Sequence, residues 1–178
     1  MRKALHTSAL AVALAFTISC GGGNGSPTGP AAIAQVAGVW SLSTTVTGVS
    51  GGECFAPVFQ TLVGSRGTGT IQIQQSGSSL TATSTDDASG SSCTYSGTAG
   101  ANSVAVNTTS CTASDVLGAS CPNGAGLRNI RLQTGGVNAT LSGNTLSGTA
   151  AETYNVTTTG GTGVGTLTIN YSFNANRR

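Results

Sequence analysis

From residue 38 onward, apolar and polar side chains alternate with a period of two. That is the period of a strand with one face on a core and one in water. The last segment is clearest. Leu167, Ile169, Tyr171 and Phe173 fall on one side, and Thr166, Thr168, Asn170 and Ser172 on the other. Ile71 and Ile73 alternate with Thr70, Gln72 and Gln74, and Val104 and Val106 with Ser103, Ala105 and Asn107. The pattern predicts eight main strands, over 38–48, 68–75, 79–85, 92–99, 103–110, 136–142, 145–157 and 163–174.

Turn chemistry sets their pairing. Gly143-Asn144 between Leu141 and Leu146 suits a type II′ hairpin. It places Leu141 opposite Leu146, Ala139 opposite Gly148 and Val137 opposite Ala150, with all six on one face. A turn at Ala101-Asn102 sets Ala99 against Val104, Gly97 against Val106 and Tyr95 against Thr108. One near Gly77-Ser78 sets Ile73 against Ala82. Two segments break the alternation. In 53–66, Phe55, Val58, Phe59, Leu62 and Val63 cluster at helical spacing, which predicts a short helix or lid after the first strand. Residues 111–130 read as a long loop, with a ninth strand expected at 127–133.

Eight consecutive antiparallel strands with short turns predict an all-β fold. The expected form is an up-and-down barrel, which leaves no exposed edge; the alternative is a two-sheet β-sandwich. The inward-facing set runs from Trp40, Leu42 and Val46 to Ile169, Tyr171 and Phe173, and is expected to be wholly uncharged. Several of its members are Gly or Ala, which either leaves an apolar cavity or lets the barrel close tightly.

Composition narrows the chemistry. The 178 residues hold one His and 7% charged side chains. His6 and Lys3, the only residues of their types, precede residue 20. Beyond that point Ser-His-Asp, Cys-His, Schiff-base and P-loop chemistry lack their residues. Arg66, Arg128, Arg131, Arg177 and Arg178 balance Glu53, Asp86, Asp87, Asp115 and Glu152, so no basic patch for nucleic acid is expected. Asp86-Asp87 reads as a turn pair, and Glu53 and Glu152 have no reason in the sequence to meet; no catalytic residue is expected. Cys54, Cys93, Cys111 and Cys121 lack a CxxC pair and are spaced by 39, 18 and 10 residues. They read as disulfides rather than metal ligands, and no cofactor is expected. Three pairings are open. Cys93–Cys111 with Cys54–Cys121 is the first choice, because Cys93 faces Ser110 in its hairpin and a single bulge would bring Cys111 opposite.

The N-terminus reads as an address. Arg2 and Lys3 precede an apolar run over 9–16 that is too short to span a bilayer. Thr17-Ile18-Ser19-Cys20 resembles the lipobox of bacterial lipoproteins, with Thr17 where Leu is usual. The resemblance implies cleavage after residue 19 and acylation of Cys20 as a lipid anchor. The Gly/Ser/Pro-rich stretch that follows suits a tether spanning about 20–25 Å. The implied organisation is a signal peptide over 1–19, lipidated Cys20 and tether over 20–37, and a β-domain over 38–178. Gly21 in place of Asp implies the outer rather than the inner membrane of the cell envelope.

Gly38-Val39-Trp40, at the start of the first strand, resembles the G-x-W signature of lipocalins and their calycin relatives. There the Trp plugs the closed end of an eight-stranded barrel and an Arg after the last strand packs on its ring, which makes Arg177 the candidate. The expected function is a non-enzymatic, membrane-anchored envelope lipoprotein with a structural or surface-interaction β-domain. The alternative is a lipocalin-like binder of a small apolar ligand. Neither reading names a protein partner.

Overall fold

The structure, a computed structural model, describes residues 32–51, 56–112, 114–115, 127–158 and 163–178. The expected signal peptide, Cys20, Glu53, Cys54, Phe55 and Cys121 lie outside the described residues. The strands are β1 (Gly38–Gly51), β2 (Arg66–Ser76), β3 (Ser79–Asp86), β4 (Ser92–Ala99), β5 (Ser103–Cys111), β6 (Ser114–Asp115), β7 (Leu127–Ser142), β8 (Thr145–Thr158) and β9 (Gly163–Arg177). Helix α1 (Ala56–Gln60) lies between β1 and β2.

Neighbours in sequence pair antiparallel from β1 to β5 and from β7 to β9. Pairing of β5 with β7 and of β1 with β9 completes the circuit, so eight strands form a closed barrel. The two-residue β6 sits on the side of β7. Closure removes the sandwich alternative and gives each of the eight strands a neighbour on both sides.

The hairpins follow the turn residues. Gly143 and Gly77 have φ of 58° each and among the described residues no non-glycine φ is positive, the pattern of a two-residue type II′ turn. The observed pairs include Leu141↔Leu146, Val137↔Ala150, Ala99↔Val104, Tyr95↔Thr108 and Ile73↔Ala82, as the alternation requires. A register shift between Thr94 and Tyr95 then sets Cys93 opposite Cys111, and the two form a disulfide. The extra residue, Thr109, donates its hydroxyl to the Thr94 carbonyl at 3.0 Å, so the bulge carries its own hydrogen bond.

Three expectations change. Segments 127–133 and 136–142 are one strand, β7, with irregularities at Leu127/Asn129 and Leu132/Thr134. The helical cluster yields only five helical residues. Phe59 is buried against Val156, Leu167 and Ile169, while Leu62 and Val63 are exposed. Residues 32–37, grouped with the tether from the sequence, pack on the barrel, with Ala34 and Val36 buried.

One end of the barrel is sealed. Trp40 is fully buried and donates its indole N–H to the Val36 carbonyl at 2.9 Å. The Gln75 side chain accepts from Val36 N at 2.8 Å and donates to the Ala34 carbonyl at 2.8 Å, which fixes the 32–37 segment across the opening. The Arg177 guanidinium carbon lies 4.8 Å from the Trp40 ring centroid and the side chain also donates to the Gln35 carbonyl. Such a cation over an indole contributes about 0.5–2 kcal/mol. Outside, exposed Ser41, Ser43, Gln72, Thr81 and Thr83 make a hydroxyl- and amide-bearing surface, the reverse of the apolar band on a membrane-spanning barrel. Among the described residues no helix is long and apolar enough to cross a membrane.

Candidate functional site

Inside the barrel is a cavity of about 390 Å³. Its floor, next to the sealed end, is apolar: Ile73, Leu80, Val104, Leu146 and Phe173 line it. Its rim carries Thr44, Thr68, Ser91, Ser92 and Thr112, at the opposite end of the barrel. The floor positions are those the two-residue alternation selects.

Between floor and rim lies a polar belt drawn from four strands. β4 contributes Tyr95, β5 Thr108, β8 Glu152 and Tyr154, and β9 Tyr171. Glu152 is 7% exposed, so the expectation of a wholly uncharged interior is wrong. The physical reason is the period itself. Leu146, Gly148, Ala150, Glu152, Tyr154 and Val156 are every second residue of β8, so an inward Leu146 and Val156 carry Glu152 and Tyr154 inward with them.

The Tyr154 hydroxyl donates to Glu152 Oε2 at 2.5 Å, and the Ser84 and Tyr95 hydroxyls share a hydrogen bond of 3.1 Å. Burial pushes the Glu152 carboxyl above its ordinary range, and the Tyr154 and then the Thr108 hydroxyl partly offset this. Burial, and then the nearby Glu152 charge, push the Tyr95 phenol up to about 12. Tyr154 and Tyr171 are raised as well, burial being the main cause in each. The Thr108 hydroxyl is buried beside the Glu152 carboxyl. Gly135, paired with Glu152, leaves the belt its room. A Cβ there would lie 2.6 Å from Thr108 Oγ1 and 3.1 Å from Glu152 Cγ.

The Cys93–Cys111 disulfide also lines the cavity, with a Glu152 carboxylate oxygen and both sulfurs all within 4.8 Å of one another. Both thiols are committed to the bond, so this group does not offer three metal ligands. Asp86, at the rim, is occupied by its own turn. Its Oδ1 accepts from Ala88 N at 3.1 Å, Ser89 N at 2.7 Å and Ser89 Oγ at 2.8 Å. These bonds, chiefly that from the Ser89 amide, hold its carboxyl below the usual carboxylate range. The expected turn role of Asp86 therefore holds. Cys20, the expected lipid anchor, and Cys54 and Cys121, the expected second disulfide, fall outside the described residues. The inward places of Tyr95 and Tyr171 follow from the alternation. Thr108 facing Gly135 depends on the β5–β7 closure, for which the sequence carries no local signal.

No family model, no curated protein and no solved structure matches this chain.

Proposed function

We propose that this chain is a lipid-anchored protein of the bacterial cell envelope whose barrel holds a small, largely apolar ligand. The single observation that carries the reading is the cavity of about 390 Å³, within the range of small-molecule sites and lined on its floor by aliphatic and aromatic side chains. A barrel acting only as a scaffold or a contact surface has no need of an unfilled interior, so the cavity favours binding over a structural role. The lipocalin-like comparison gains from Trp40 and Arg177, which stand at the sealed end in the arrangement that the G-x-W resemblance implies. The anchor rests on the lipobox-like residues ending at Cys20. A binding rather than catalytic role is supported by the two carboxyls that line the cavity: Asp86 is used by its turn and Glu152 is hydrogen-bonded to Tyr154.

Native mass spectrometry of the protein extracted gently from membranes tests this reading. The expected result is the chain with a non-covalent small-molecule adduct that leaves on collisional activation. A bare chain that also takes up no apolar small molecule offered in excess contradicts it.

A further inference from the structure

The polar belt bears on what kind of ligand the cavity takes. Glu152 lines the cavity and is almost fully buried. The described arginine side chains, Arg66, Arg131, Arg177 and Arg178, are all exposed, so among the described residues no cation neutralises it in the interior. An unpaired buried carboxylate is costly. Three phenol rings, those of Tyr95, Tyr154 and Tyr171, line the same space, and aromatic faces attract cations. Beside Glu152, across Gly135, lies the buried Thr108, whose hydroxyl helps hold the charge of the Glu152 carboxyl.

We propose that the ligand is an organic ammonium: a protonated amine seated against Glu152 and the three tyrosines, on an apolar body that fills the floor beneath Val104, Leu146 and Phe173. The inference rests on the ligand-binding reading of the barrel and deepens it. An ammonium brings a positive charge and N–H donors to the buried Glu152 carboxylate. A carboxylate ligand would set like charge against Glu152, and an alcohol would leave that charge unpaired. Because burial pushes the Glu152 carboxyl upward, a cation at this point relieves the strain of ionising it. At the ~30 Å³ that a water occupies in the liquid, the cavity admits roughly a dozen non-hydrogen atoms, so the apolar body is short.

Octylammonium, octan-1-ol and octanoate share one tail and differ in the head. Each is titrated into the purified full chain at neutral pH by calorimetry. Octylammonium is expected to bind about tenfold or more tighter than octan-1-ol, with octanoate weakest. Glu152→Gln should abolish that preference and keep octan-1-ol binding, which also reports an intact cavity. The head-group comparison on the unmodified protein stands whether or not the variant folds. Octan-1-ol binding as tightly as octylammonium, or a preference that persists in Glu152→Gln, overturns the ammonium assignment and leaves the apolar-cavity reading in place. No binding of any of the three overturns both.

Discussion

Glu152 sets how stability responds to pH. Its carboxyl titrates above its ordinary 4.5 in the folded protein, mainly through burial. The folded state thus holds this proton more tightly than the unfolded chain does. The associated stability is complete below about pH 4.5 and is lost as pH rises through the folded value. Asp86 acts in the opposite sense and elsewhere. Its contribution is present above 3.8 and is lost as pH falls through its lowered value. Urea unfolding at about pH 4 and about pH 8 should therefore show Glu152→Gln gaining stability relative to the parent as pH rises. Parallel pH courses for the two proteins would mean that the carboxyl is not desolvated. The position of Glu152 was readable from the alternation that links Leu146 to Val156. What obscured it is the general rule that a lone charge belongs outside, a rule that binding sites break. Thr108 and Gly135 were not readable in the same way, because their meeting depends on two strands joined across residues 112–126.

At the level of elements, hairpins were the most legible features, since a two-residue turn and its flanking alternation fix every later pair. The β4–β5 hairpin shows how far this reaches. An in-register ladder sets Cys93 against Ser110, and one extra residue, Thr109, corrects it to Cys111. The disulfide spans a sequence separation of 18, and closing a loop of that size stabilises by about 3 kcal/mol in the chain-entropy model. The double variant Cys93→Ser/Cys111→Ser should lose about that much in urea unfolding under non-reducing conditions. An unchanged midpoint would show that the bond adds nothing to the ladder. β7 was less legible. Gly135-Gly136 looks like a break, yet the strand runs through it, because Gly135 supplies room for Thr108 and Glu152 rather than a turn. Helix α1 is short because only Phe59 among its described side chains finds a core, against Val156, Leu167 and Ile169. Leu62 and Val63, on the same apparent stripe, remain exposed in the turn beyond.

For the whole molecule, strand number and order came from local pattern, whereas the choice between barrel and sandwich did not. It depends on β1 meeting β9 and β5 meeting β7, contacts between distant segments that no neighbouring residues encode. The two ends differ for a sequence reason. The Trp40 end collects the tight hairpins, the 32–37 segment and the C-terminal arginines, while the other end receives the longer connections. The result is a cup with an apolar floor, a polar belt and a hydroxyl-lined rim. Its interior can be probed directly by methyl NMR of the full chain titrated with octan-1-ol. The account predicts shifts concentrated at Ile73, Leu80, Val104, Val106 and Leu146, with the outward-facing Val39 unmoved. Silent interior methyls, or shifts confined to the exposed Val39, Leu62 and Val63, would contradict it.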